Sequence, residues 1–61
     1  MDLSEVFALI RREFPAVKLG SVEHDRTVVS IGDVTHTYDN RDLAGWTKEE
    51  IVRRIRADVG G

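Results

Sequence analysis

The stretch Thr27-Val-Val-Ser-Ile-Gly-Asp-Val-Thr-His-Thr-Tyr38 decides the fold of this chain. Two runs rich in β-branched residues flank Gly32-Asp33, and glycine tolerates the positive φ that the first position of a type II′ turn requires. A two-residue turn fixes the register of a hairpin. The register predicts three facing pairs on the side that we assign to the core: Ile31 with Val34, Val29 with His36, and Thr27 with Tyr38.

Apolar residues recur at helical spacing over residues 2–14 and predict an amphipathic first helix. Asp2 and Glu5 form a candidate capping box, and Pro15 ends the helix. The apolar stripe comprises Leu3, Val6, Phe7, Ile10 and Phe14, with Leu9 beside it.

Residues 17–23 predict a first strand. A two-residue connection to the hairpin would turn Val17 and Leu19 outward, whereas an odd loop such as His24-Asp25-Arg26 turns them toward the core. A bulge at Gly20 would also change the phase. We favour the three-residue loop.

Turn-favouring residues over 39–45 predict a loop after the hairpin, from which Leu43 returns to the core. Thr47 and Glu50 then form a T-x-x-E capping box that starts the last helix.

Trp46 and Ile51 stand in the positions of a hydrophobic staple for this helix. Two i,i+4 pairs, Glu49–Arg53 and Glu50–Arg54, support it, and Gly60 with Gly61 ends it. Its buried stripe is Ile51, Val52, Ile55 and Val59.

These elements predict an α+β fold over a single domain of residues 1–61. Their order is α-β-β-β-α. The expected architecture is a three-stranded antiparallel meander with two helices packed on one face.

Composition excludes several classes of protein. The formal net charge of −2 argues against a general binder of the phosphate backbone. The chain has no Cys, which rules out disulfides and thiolate metal sites and fits a cytoplasmic protein. The acidic start is unlike a signal peptide, and no apolar run is long enough to span a bilayer. We expect no cofactor and no bound metal.

Two histidines are candidates for chemistry. His36 lies on the core side, where we expect a half-buried residue hydrogen-bonded to backbone or to Tyr38 rather than a catalytic base. His24 and Asp25 suit a turn. We therefore predict no catalytic residues.

Two surfaces are candidates for binding a protein partner. The register pairs Arg26 with Asp39 and gathers acidic residues at one end of the sheet, including Glu23, Asp25, Asp39 and Asp42. A solvated loop cluster, a protein epitope and a divalent-cation site are alternatives there, in that order. The outer sheet face has small side chains and no element to cover it, and it serves either as a solvated surface or as a partner or homodimer interface. Its candidate residues are Val28, Ser30, Thr35 and Thr37.

The order of elements resembles that of double-stranded-RNA-binding domains and of HicA-type toxins. The former expect a basic cluster opening the last helix, where this chain has Thr47-Lys-Glu-Glu50. The latter place a catalytic His on the middle strand, whereas His24 precedes that strand and His36 follows it. The resemblance covers topology only, and we assign no family.

The leading hypothesis is a non-enzymatic protein-binding module, a regulator or inhibitor that occludes a site on a larger partner. Phage and other mobile elements encode many proteins of this size, including inhibitors of host defence. The alternatives are a nucleic-acid-binding domain that uses arginines of both helices, and a small ribonuclease with His24 or His36 as its base.

Overall fold

The computed structural model describes residues 1–60, and three strands form its centre. In chain order the elements are α1 (Leu3–Glu13), β1 (Lys18–Val22), β2 (Arg26–Ile31), β3 (Val34–Asp39), α2 (Asn40–Gly45) and α3 (Lys48–Val59). The strands form an antiparallel meander in the order β1-β2-β3. This confirms the α+β class and the α-β-β-β-α order.

The β2–β3 hairpin has the predicted register. Val29 pairs with His36 and Thr27 with Tyr38. Gly32 has a φ of +56°, whereas Asp33 is outside the positive-φ region. A positive φ at the first turn position alone is the pattern of a type II′ turn and not of type I′.

The β1–β2 connection has three residues, the length that the sequence analysis favoured. It lies one position earlier than the His24-Asp25-Arg26 loop named there. It spans residues 23–25, because Val22 pairs with Arg26. Leu19 pairs with Val29 and therefore faces the core. Neither of the first two turn residues is glycine, yet both have positive φ, 55° at Glu23 and 66° at His24.

The predicted loop over 39–45 is wrong in part, because residues 40–45 form the short helix α2. The Asp39 side chain caps this helix by accepting a hydrogen bond from the Arg41 N–H at 2.8 Å. Leu43 is completely buried, as expected. This helix thus places one apolar side chain, that of Leu43, in the core.

The caps of the two longer helices differ. The Thr47 hydroxyl accepts from the Glu50 N–H at 3.2 Å, which confirms this half of the predicted capping box. Asp2 stands at the N-cap of α1 but makes no side-chain capping bond, so the Asp2–Glu5 box is not formed. Gly60 ends α3, and the expectation for Gly61 lies outside the described residues.

The core lies between the inner face of the sheet and the helices. Leu9 belongs to it, although its position beside the α1 stripe predicted a peripheral residue. The outer members of both predicted stripes, such as Phe7, Val52 and Val59, are half-buried and pack against the core. The buried apolar residues are Val6, Leu9, Ile10, Val29, Tyr38, Leu43, Ile51 and Ile55.

The longest helix among residues 1–60 has 12 residues, which is too short to cross a membrane.

Candidate partner-binding surfaces

The register arranges the outer face of the sheet as three rows of three residues. Side chains alternate between faces along each strand, so every second residue belongs to this outer face. The edge-strand members are exposed, and Val28 and Ser30 at the centre are half-buried. The rows are Lys18–Ser30–Thr35, Gly20–Val28–Thr37 and Val22–Arg26–Asp39.

Gly20 leaves one flank of Val28 open on the outer face. A Cβ added at Gly20 would lie 4.0 Å from the Val28 Cβ, which is ordinary contact, and Gly20 does not have positive φ. The backbone therefore does not require glycine here. The lack of a side chain leaves room beside Val28, the one apolar residue at the centre of the outer face.

The acidic end of the sheet is assembled as predicted. Glu23 and Asp25 lie in the β1–β2 turn, and Asp39 and Asp42 lie at the start of α2; all four are exposed. A backbone hydrogen bond of 2.9 Å from the Asn40 N–H to the Asp25 carbonyl joins the two segments. Asp39 also belongs to the third row of the outer face, so the two predicted surfaces are continuous.

Asn40 connects the acidic end to the sheet. Its amide oxygen accepts from the hydroxyl of Thr27, the one polar residue among the described ones that is fully buried. Its Nδ2 lies 3.4 Å from the His24 carbonyl, a long hydrogen bond. A buried hydroxyl needs a hydrogen-bond partner, and Asn40 supplies one to Thr27. Through its contact with the His24 carbonyl, Asn40 also holds the β1–β2 turn. We assign it a structural role.

Arg26 and Asp39 are cross-strand partners, as the register predicted, but they make no ion pair among the described residues. The Asp39 carboxylate accepts from the Arg41 N–H instead, because the start of α2 offers an unpaired backbone donor. Within residues 1–60 no group of three or more His, Asp or Glu is placed to hold a metal ion.

The two histidines lie in different environments. His36 is half-buried on the inner face of β3, as expected, whereas His24 is exposed in the turn. His36 makes neither of the expected hydrogen bonds, to backbone or to Tyr38, within the described residues, and the Tyr38 hydroxyl donates instead to the Asp58 carboxylate. Burial, and then this hydrogen bond, raise the pKa of Tyr38 above its ordinary value.

A chain of side-chain contacts ties α3 to β3. The Tyr38 and Trp46 rings meet edge to face at 6.2 Å between centroids. The Arg54 guanidinium lies 4.4 Å from the centroid of the Trp46 ring. It also donates to Glu50 at 2.6 Å, the predicted i,i+4 pair. These contacts hold the C-terminal helix against the edge of the sheet.

Glu50 has two basic partners rather than one. Arg53 pairs with Glu50 and not with Glu49, so the predicted Glu49–Arg53 pair is not formed in the described structure. Hydrogen bonds from Arg53 and then Arg54 lower the pKa of Glu50. Because Arg53 and Arg54 are exposed, these pairs contribute little to stability.

Sequence reasoning did not predict an open groove between α1 and α3, on the side of the helices away from the sheet, with a volume of about 660 Å³. We call it the helix groove. The apolar part of its lining, which we call its floor, is Leu9, Val52 and Ala57. Only a contact between two helices creates it, so neither helix alone reveals it. The signal available in sequence was the i, i+4 spacing of Lys48 and Val52 beside the buried stripe of α3.

The helix groove has a charged rim. Four basic residues line it, Arg12, Lys48, Arg53 and Arg56. A second, smaller depression continues from it along α1 past Ala8 and shares Leu9, Arg12 and Lys48 with it.

A scan against protein-family models gave no match, and searches of the curated proteins and of the solved structures also found no matching protein.

Proposed function

We propose that this chain is a small, non-enzymatic protein-binding module that acts as a regulator or inhibitor by occluding a site on a larger protein partner. The observation that carries the proposal is the continuity of the outer face with the acidic end. The described helices pack on the opposite side of the sheet, so this face is open to a partner.

The chemistry of this surface indicates the kind of partner. Val28, Ser30, Thr35 and Thr37 form a flat region of small side chains, and Glu23, Asp25, Asp39 and Asp42 add negative charge at one end. A complementary site would be flat and mildly apolar with basic residues beside it. Opposite charge at the rim of an interface speeds association and selects the partner.

The size of the molecule supports the use of both regions together. Stable interfaces bury roughly 800 Å² on each partner. That is about a fifth of the 4148 Å² accessible surface of this chain. A sheet face of three short strands is smaller than this, so the acidic end supplies the remaining area. Action in the cytoplasm and an origin in phage or another mobile element, where many occluding inhibitors of host defence are encoded, belong to the same proposal.

The test is affinity capture from an extract of the native host with three baits: the wild-type chain, Thr37→Arg and Ser4→Arg. Thr37 is exposed on the outer face, whereas Ser4 is exposed on α1, across the sheet. We expect one stoichiometric protein partner with the wild type and with Ser4→Arg. Recovery should fall at least tenfold with Thr37→Arg.

Three results would contradict the proposal. One is equal recovery with Thr37→Arg. Another is capture of RNA without a stoichiometric protein. The third is a dimer of this chain that Thr37→Arg abolishes, seen by sedimentation of the purified protein, since the outer face would then be occupied by a second copy.

A further inference from the structure

We propose that the helix groove is a second docking site, which binds an acidic amphipathic helix of a protein partner. The inference does not depend on the proposed function, because it concerns the opposite side of the molecule. It rests on the charge of the rim, the apolar floor and the dimensions of the groove.

Charge is distributed unevenly over the chain. Of its nine basic and eleven acidic residues, the helix groove and the depression that continues it carry four basic and three acidic, which leaves five basic and eight acidic elsewhere. The groove is therefore positive in a molecule that is negative overall. Such a surface attracts a negatively charged ligand, and the effect is strongest at low salt.

Lys48 is the most available of these positive groups. It is exposed, makes no ion pair with any described residue, and lines both depressions. Arg12 contacts Glu13 at 3.6 Å, and Arg53 pairs with Glu50. A carboxylate bound at Lys48 would displace no ion pair among the described residues.

The apolar floor of the groove favours a peptide ligand over a nucleic acid. Leu9, Val52 and Ala57 offer carbon surface, and Ala8 continues it along α1. Phosphates gain nothing from such a floor, whereas apolar side chains bury carbon surface against it. The apolar stripe of an amphipathic helix would fit, with its acidic flanks facing the basic rim.

The length of the groove matches a short helix. Its two depressions follow α1 from Glu5 to Glu13. At 1.5 Å per residue this is roughly 12 Å, or about two helical turns. Two turns present apolar side chains at i, i+3, i+4 and i+7.

The test uses the full chain and a synthetic helical peptide that has leucine at those four positions and glutamate on its flanks. Lys48→Glu is compared with Lys18→Glu, which makes the same charge change on the outer face. The controls are a scrambled peptide of identical composition and a single-stranded RNA of similar charge. Binding is measured by fluorescence anisotropy at low salt and at physiological salt.

We expect saturable binding of the amphipathic peptide to the wild type, weakened at least tenfold by Lys48→Glu and less than twofold by Lys18→Glu. The absence of binding by the wild type would overturn the proposal. So would equal binding of the scrambled peptide, or preferential binding of RNA that Lys48→Glu abolishes. Self-association sensitive to Lys48→Glu would show that the occupant is a second copy. Thr37→Arg should leave peptide binding unchanged, so the proposals for the groove and for the outer face can be tested independently.

Discussion

Glu23 and His24 carry an unfavourable backbone conformation in the β1–β2 turn. Both lie in the left-handed region, where a side chain with a Cβ is strained. His is among the residues that enter this region more often, but Glu is not.

Glu23→Gly should therefore raise the free energy of unfolding by about 1 kcal/mol. Urea denaturation would measure it. Glu23→Gln separates the lost charge from the backbone effect and should change stability little. Asp25→Gly, in the same turn but outside the positive-φ region, should not stabilise. An increase in the free energy of unfolding with Asp25→Gly equal to that with Glu23→Gly would contradict the assignment of backbone strain to Glu23.

The hydrogen bond between Thr27 and Asn40 satisfies a fully buried hydroxyl, so its loss should lower the stability of the fold. Asn40→Ala leaves a fully buried hydroxyl without its partner and should destabilise the fold by about 1–3 kcal/mol. Adding Thr27→Val in that background removes the unpaired group and should recover part of the loss. A double-mutant cycle by urea denaturation measures the coupling, and two strictly additive effects would disprove it.

The residues of the hairpin show what sequence predicts well. Gly32-Asp33 fixes turn type and register locally, so Arg26 and Asp39 become partners as expected. Their side chains do not pair, because Asp39 caps a helix that the sequence pattern did not indicate. The Asn40 bonds to Thr27 and His24 join segments distant in sequence, and no local pattern contains them.

The two long helices begin with different chemistry. Thr47 caps α3 with a side-chain hydrogen bond, whereas Asp2 makes none at the start of α1. Thr47→Ala should lower the free energy of unfolding by about 1 kcal/mol. Asp2→Ala should change it by less than roughly 0.5 kcal/mol, the size of a residual dipole effect. Thermal or urea denaturation compares the two, and equal losses would contradict the distinction.

The α3–β3 junction predicts an alkaline transition. The folded state raises the pKa of Tyr38, chiefly through burial, whereas the unfolded chain titrates near 10. The native state therefore holds its proton where the unfolded state has lost it, so the stability contributed by Tyr38 is complete below about pH 10 and is lost as pH rises further.

Tyr38→Phe should flatten this loss, although it is less stable at neutral pH because Asp58 loses its donor. Tyr38 is the single tyrosine of the chain, so phenolate absorbance follows it directly. Urea titrations from pH 8 to 11 give the stability difference between the two proteins. A difference that does not narrow as pH rises would contradict the assignment.

The short helix α2 marks the limit of pattern reading at the scale of elements. Six residues with one buried apolar side chain, Leu43, are too few to show helical periodicity, whereas turn-favouring residues are plentiful. The burial of Leu43 was nonetheless predictable. For α1, Leu9 faces the helix groove as well as the core. The predicted apolar stripe considered packing of α1 against the sheet and did not consider packing against α3.

At the scale of the whole molecule, the fold separates two surfaces of different character. The outer face and acidic end carry small side chains and a cluster of acidic residues, whereas the helix groove on the opposite side has an apolar floor and a rim in which basic residues outnumber acidic ones. A module with two such faces could occlude one site while it is held at another. The separation follows from putting both long helices on one side of a three-stranded sheet.

The most direct test of the central claim maps which face contacts the captured partner. Because the chain has no cysteine, single substitutions Thr37→Cys, Thr35→Cys and Ser4→Cys each give one attachment point for a photo-crosslinker. We predict that Thr37→Cys and Thr35→Cys crosslink to the partner in the assembled complex and that Ser4→Cys does not. Crosslinking from Ser4→Cys alone, or from none of the three while the complex is intact, would contradict the assignment of the outer face as the binding surface.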